Sequence, residues 1–387
     1  MSKALIVGGG IAGLATAIAF DRRGWEVEVL ERAPELTAVG AGISLWSNAL
    51  RALDELGVGE RIRERAVEDA AAGIRDARGR WLSRTDTAAL RARHGSPVVL
   101  HRADLLEILR AAVPESAVRT GISVTEARAD GSVLHSAGVS RGDVVVGADG
   151  IHSVVRRAVC GVVEPRYSGY TAWRMVVTPT EPLGDLGESW GRGERFGFAA
   201  LADGRVYCFA AANIPAGAPD GGLPELRRRF RDWHAPIPAL LAAADADTVL
   251  RNDIYELPPL DTYVSGRLVL VGDAAHAMTP NLGQGACQAL EDAVVLARVV
   301  ATGGDPSAYD AERRPRTRMI ADRSARIGTV AQLSNPLLAA VRDAVMRAMP
   351  ASAQARALAP ILDWTPGEPG AIQRPRTGGD VRSHTNT

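Results

Sequence analysis

The chain has 387 residues with 45 basic and 45 acidic side chains and no block of like charge, so its field favours a small-molecule ligand and gives no reason to expect nucleic acid or membrane as partner. This length exceeds the roughly 100 to 200 residues of one domain, which leaves room for two packed units and a large cofactor. Cys160, Cys208 and Cys287 show no CxxC spacing, which argues against a disulfide framework and a zinc site; no metal is expected, and a reducing cytoplasm is the simplest location. No apolar run reaches the roughly 18 residues of a membrane span, and the one at the N-terminus is too short for a signal-peptide core.

In chain order, Ala4–Val7 reads as a strand, followed by a glycine-rich turn, a helix to Gly24 and a second strand at Val27–Leu30. This is a βαβ unit. Amphipathic helical patterns cover 45–65 and 102–113, and 143–148 is a short apolar strand ending in Asp149-Gly150. From about 166 to 261 the pattern changes to alternating strands, among them Arg195–Leu201 and Val206–Asn213 joined through Asp203-Gly204, which predicts a mostly antiparallel sheet. The apolar strand Arg267–Val271 leads through Gly272-Asp273 towards a helix starting near Gly283, and helical patterns continue to about 363. The fold class expected is α/β, a Rossmann-like nucleotide-binding domain carrying an inserted sheet domain and C-terminal helices. Its first domain is expected from 1–70, 99–165 and 262–363, the inserted one from 71–98 and 166–261, and a flexible tail from 364–387.

Gly8-Gly9-Gly10-Ile11-Ala12-Gly13 satisfies GxGxxG directly after a strand and at the start of a helix. There Gly8, Gly10 and Gly13 allow a tight turn and close approach of backbone amides to a pyrophosphate. Glu31, at the end of the second strand, is placed to accept from an adenosine ribose, and an acid there favours a ribose without phosphate. Arg32 reads either as a nucleotide contact or as a solvated charge.

Two later stretches, Asp149-Gly150-Ile151-His152-Ser153-Val154-Val155-Arg156 and Gly272-Asp273-Ala274-Ala275-His276-Ala277-Met278-Thr279-Pro280, resemble the DG and GD motifs of class A flavoprotein monooxygenases, the family of para-hydroxybenzoate hydroxylase. Leu100-His101-Arg102-Ala103-Asp104-Leu105 and Gly283-Gln284-Gly285-Ala286-Cys287 extend the resemblance over most of the chain, short of the tail. It implies bound FAD, NADH or NADPH as co-substrate, and O2 activation through a C4a-hydroperoxyflavin that attacks an aromatic or phenolic substrate. It also implies flavin contacts at Ala12, Glu31, Arg32, Ser44, Arg102, Val124, Asp273, Gly283, Gln284, Gly285 and Ala286, several through backbone atoms. Asp149 reads either as a bifunctional residue at the pyrophosphate or as a turn aspartate capping amides. Physically, Asp273 suits ribityl hydroxyls, and a helix beginning near Gly283 aims its positive end at the ring edge where reduced flavin is negative.

The chemistry belongs to the flavin, so no protein nucleophile is needed. If Ala202-Asp203-Gly204 forms a three-residue loop with Gly204 left-handed, Arg195 and Tyr207 share one face and become candidates to anchor an acidic or phenolic substrate; a two-residue loop separates them. Without such a role, Arg195 is a solvated edge charge and Tyr207 a half-exposed strand aromatic. His276 is a candidate base or a packing residue, Pro280 a rigid turn beside the ring, Trp173 a cavity wall or a core residue, and Cys287 a small core residue. Alternatives are an epoxidase or a tailoring hydroxylase of a polycyclic natural product, and, from another class, a flavin- or NAD-binding sensor. The chain reads as monomer or homodimer.

Overall fold

The computed structural model describes residues 1–36, 41–69, 73–181, 183 and 186–367, so most of the expected tail, 368–387, lies outside the described residues. A six-stranded sheet runs in the order Val264–Ser265, Leu268–Leu270, Val144–Gly147, Lys3–Val7, Glu26–Leu30 and Val118–Arg119, and only the 264–265 hairpin partner is antiparallel. Its central strands are apolar on both sides (Ala4-Leu5-Ile6-Val7 and Val144-Val145-Val146) because helices cover both faces.

A seven-stranded sheet takes Gly73–Asp76 and Trp81–Arg84 from the first part of the chain and adds them to Gly187–Trp190, Glu194–Ala200, Val206–Ala212, Arg166–Val177 and Leu250–Glu256. All neighbours are antiparallel except 187–190 with 73–76. The Arg195/Tyr207 hairpin turns through Ala202-Asp203-Gly204: the Leu201 amide donates to Arg205 O at 2.9 Å, and Gly204 has φ +81°. Arg195 therefore pairs with Ala211 and Tyr207 with Ala199, which puts both on one face. The opposite face, with Trp173, Met175, Phe196, Phe198 and Cys208, is buried under the helices Gly222–Phe230 and Ile237–Ala243. Trp173 is thus a core residue, packed on the side away from the hairpin's polar face.

The helical pattern at 45–65 is realised as two helices, Ser47–Glu55 and Gly59–Arg65, separated at Gly57 with φ +74°. The helix expected near Gly283 is Gly285–Val300, and Gly283 itself is a left-handed residue (φ +62°) after the short turn Pro280–Leu282. One expectation changes: chain order is not lost at 364, since Trp364 is buried against the main core, its carbonyl accepts from Arg51 Nε at 2.6 Å, and the Pro366 carbonyl accepts from Arg298. Among the described residues no helix is long and apolar enough to cross a membrane.

Between the helices Gly285–Val300 and Pro306–Ala331 lies a charge cluster whose core, Arg313, Glu291 and Asp292, has no solvent access. Arg313 donates to Glu291 Oε2, to Asp292 Oδ1 at 2.7 Å and to Gln288 Oε1 at 2.7 Å, and Arg316 adds two bonds to Glu291. Burial alone pushes the Asp292 carboxyl up, but His276 and Arg313 outweigh it and hold it at about 2. Because that folded value lies below the ordinary 3.8, the stabilisation is complete above pH 3.8 and is lost as pH falls towards 2. Arg313→Leu is expected to cost about 3–5 kcal/mol by leaving buried carboxylates unpaired, and to move acid unfolding to higher pH. Urea denaturation followed by circular dichroism at pH 7 and pH 4 measures both; an unchanged midpoint at both pH values would refute this account of the cluster.

Candidate active site

The three glycine-bearing turns pack on one another. A Cβ placed on Gly8 would lie 2.4 Å from the Ala148 carbonyl oxygen, and one on Gly13 would lie 1.9 Å from Gly8 O, so the first turn is closed against the second motif and against itself. A Cβ on Gly272 would stand 2.8 Å from Ala12 Cβ, which brings the third motif against the first helix. Gly272 has φ +58° and ψ −141°, a conformation that only glycine adopts without strain. Arg156 ties the second motif to the third through Ala274 O at 3.2 Å.

Other positions are open. Among the described residues, chain neighbours and the helix's own backbone aside, no atom lies within 4 Å of a Cβ built on Gly10 or on Gly285, so the first turn and the start of the long helix both present open backbone. The first amides of the Gly285–Val300 helix have no intrahelical acceptor, and Gly285 and Ala286 carry two of them. Asp273 is solvent-facing in the first turn of the short helix Asp273–His276. The buried Trp46 indole N–H has no hydrogen-bond partner and lies 3.2 Å from the Cβ position of Gly283. These are the features that a phosphate, a polyol chain and a ring with polar edges require, so the residues present fit FAD.

At the far end of the crevice Glu31 straps the first turn, accepting from the Gly9 amide at 2.6 Å and the Ala33 amide at 2.8 Å. Arg32 is exposed beside it, and the Ile122 amide donates to the Glu31 carbonyl at 2.8 Å, so the stretch leading to Val124 runs along this end. Ser44 and Arg102 flank the crevice on the antiparallel pair Gly42–Leu45 and Val98–His101 and the helix Arg102–Ala111 that follows it. Asp149 accepts from the Ser153 hydroxyl and from the Val154 and Val155 amides at 2.7 and 3.2 Å, so its carboxylate caps the Val154–Cys160 helix; burial pushes its pKa up against those bonds.

Two expected site residues have their side chains turned inward. The Gln284 amide oxygen accepts from Asn48 at 3.0 Å and from Gln288 at 2.9 Å, so that oxygen is engaged inside the protein. His276, expected as a possible base, is buried with Nε2 2.6 Å from Asp292 Oδ2; the same oxygen accepts the Gly272 amide at 2.8 Å. Its Nε2 therefore fixes the third turn, while Nδ1 is buried without a partner among the described residues. Pro280 is exposed at the start of its turn. Cys287 is buried and its thiol is pushed up to about 12 by desolvation, so it is unreactive.

The open face of the seven-stranded sheet turns towards this crevice. The Tyr207 ring packs on Gly42, whose Cβ position is 2.4 Å from the ring, and Tyr170 OH reaches Asn281 Oδ1 at 3.2 Å. Ala199, Ala172 and Ala211 lie between, together with Phe209, whose ring covers Gly197. Arg195 and Tyr207 share the face but are offset by four residues, roughly 13 Å along the strands, so one small group does not touch both. Arg195 is only 4% exposed and its donors are committed: Nε to Gln332 at 3.1 Å, one terminal nitrogen to Glu188 at 3.3 Å, the other to Asn281 at 2.8 Å. It is not a solvated edge charge. Sequence reasoning missed Trp46, Asn48, Glu188, Asn281, Glu291, Asp292, Arg313 and Gln332. Of these only Glu291-Asp292 carries a local signal, two carboxylates inside an otherwise apolar helix.

Comparison with known proteins agrees with this geometry. The FAD binding domain family matches residues 1–183 and 253–324. The aurachin C monooxygenase/isomerase of Stigmatella aurantiaca is 40% identical over 358 residues, covering 89% of this chain and 94% of the relative. An FAD-dependent urate hydroxylase of Klebsiella pneumoniae is 36% identical over 334 residues, covering 82% and 87%. The crystal structure of Klebsiella pneumoniae HpxO complexed with FAD and uric acid superposes with a TM-score of 0.86 at 32% identity, covering 93% of this chain and 96% of that one. The chain therefore belongs to the FAD-binding-domain family of class A flavoprotein hydroxylases and is an FAD-dependent monooxygenase.

Proposed function

We propose that this monooxygenase adds one oxygen atom from O2 to an aromatic or heteroaromatic small molecule held between the Pro280–Ala286 loop and the open face of the seven-stranded sheet. The observation that carries this reading is the meeting of this face with the turns that fit FAD: Tyr207 packs on Gly42 and Tyr170 OH reaches Asn281, with the small residues Ala199, Ala172 and Ala211 between them. Relatives named for urate and for aurachin C support a planar heteroaromatic ring as the substrate class. A relative named as a zeaxanthin epoxidase favours, as a second reading, an epoxidase or a tailoring hydroxylase of a polycyclic natural product.

When bound, FAD supplies the redox chemistry, taking a hydride from NADH or NADPH and passing electrons to O2. The chain's own residues bind, orient and exclude water. In this reading Gly8, Gly10 and Gly13 admit the pyrophosphate, Glu31 and Arg32 take the adenosine end with Val124 nearby, and Asp273 accepts from ribityl hydroxyls. Backbone amides at Gly283, Gln284, Gly285 and Ala286 stabilise negative charge on the ring edge, and Ser44, Arg102 and Pro280 border it. Asp149 acts through the helix that it caps. Tyr207, close to Arg174 and Arg102, offers a hydroxyl to the substrate while Arg195 closes the far wall.

Two outcomes are expected. Gly10→Val fills empty space only, so the apoprotein keeps its melting temperature within a few degrees while FAD occupancy, read from the 450 nm absorbance, collapses; full yellow occupancy would show that this glycine does not face the cofactor. Asp273→Ala is expected to purify with depleted FAD in the same assay. For the reaction itself, stopped-flow flavin reduction by NADH and NADPH with a panel of hydroxybenzoates, hydroxypyridines, purines and quinolones should find a compound that accelerates reduction and is recovered heavier by one oxygen. Tyr207→Phe should lower kcat/KM for it by about tenfold. A panel with no accelerating member would move the reading away from ring hydroxylation.

A further inference from the structure

The sequence makes Arg195 an anchor for an acidic substrate, yet in the fold that cation already has an internal partner. Glu188 lies on the neighbouring strand, on the same face of the sheet, opposite Gly197, and its carboxylate is 3.3 Å from Arg195. The pair is packed into the wall, with side-chain exposures of 5% for Arg195 and 24% for Glu188. Asn281 and Gln332, both uncharged, take the other donors. The Tyr170 ring sits 5.3 Å from the guanidinium carbon and closes the arginine off further.

We propose that Glu188 sets the charge of the substrate: by neutralising Arg195 from within the protein it turns an anion anchor into a neutral hydrogen-bonding subsite, so the ring accepted here carries an amide, lactam or other uncharged polar group and not a carboxylate. This rests on the reading above that this face is the substrate wall. A carboxylate entering beside Arg195 would meet Glu188 at close range in a desolvated site, and like charges there repel strongly. An uncharged group meets no such barrier and finds a matching donor. Arginine is donor-only, so the Gln332 atom that accepts from Arg195 Nε is its oxygen. Its amide nitrogen, on a residue only 8% exposed, is buried without a partner. A carbonyl oxygen satisfies that nitrogen without adding charge. The cations near Tyr207, Arg174 and Arg102, stand at the other end of the face, and Arg174 is bonded to Asn252 at 3.1 Å. They do not relieve the repulsion at Glu188.

The test uses a matched pair of ligands, salicylamide and salicylate, titrated calorimetrically into the FAD-loaded protein at pH 7. Wild type is expected to bind the amide at least about tenfold more tightly, the size of one charge-assisted hydrogen bond. Glu188→Gln should tighten salicylate by about tenfold and invert the order. Gln332→Leu should weaken salicylamide and leave salicylate where it was. Wild type preferring salicylate, or an amide-to-acid ratio unmoved by Glu188→Gln, overturns the proposal, as does failure of wild type and variants to bind either ligand. If Glu188→Gln does not fold, the wild-type ratio and Gln332→Leu decide. Failure of the underlying reading shows separately, as the absence of any aromatic compound that accelerates flavin reduction.

Discussion

A guanidinium with no access to solvent, that of Arg313, holds the two turns on which the crevice depends. Through Asp292 it reaches the Gly272 amide and His276, and so fixes the turn that presents Asp273. Through Glu291 it reaches Asn48, whose amide also bonds Gln284, and so fixes the residue before the bare helix start at Gly285. A buried ion cluster is rarely a net source of stability compared with apolar packing, and its value here is geometric. Each acceptor admits few arrangements, so the turns are set before any ligand arrives and little ordering remains for binding to supply.

The substrate sheet follows a different logic, because its two faces are filled to different degrees. On one face large apolar side chains sit under two helices. On the other, the Phe209 ring covers Gly197, and Ala199, Ala172 and Ala211 stand among polar residues and leave a narrower slot. The three-residue loop at 202–204 decides which residues see that slot, since a slip of one position would exchange the two faces. The polar residues divide into two groups, Arg195 with Glu188, Asn281 and Gln332 at one end, and Tyr207 with its neighbouring arginines at the other.

What the sequence discloses is what short-range physics governs. The strand, glycine turn and helix of the first 30 residues, the strand ending at Asp149 and the hairpin are local patterns, and each is found close to where its pattern lies. Near Gly283 the helix is legible but its start is not, because a short turn at Pro280–Leu282 and a left-handed Gly283 come before the helix at Gly285. For His276 the sequence leaves base and packing residue open, because the partner of its Nε2, Asp292, becomes apparent only once the next helix is folded back against it. The pairing of Arg195 with Glu188 is likewise a cross-strand relation seven residues apart, and no periodicity announces it. Gln332 and Arg313 lie in arginine-rich helical sequence where nothing local separates a buried residue from a solvated one.

The central strands of the six-stranded sheet come from its first and middle sections, while Asn48 and Gln284, which meet in the charge cluster, are 236 residues apart in sequence. Contacts this distant form late, because the entropy of closing such loops must be met before any of them contributes. On a ribosome, the glycine turn at 8–13 emerges far ahead of the turns at 272 and 284 that face it. The nascent chain can complete the substrate hairpin while the cofactor crevice still lacks one wall, so capture of the flavin belongs to the last stage of the protein's maturation.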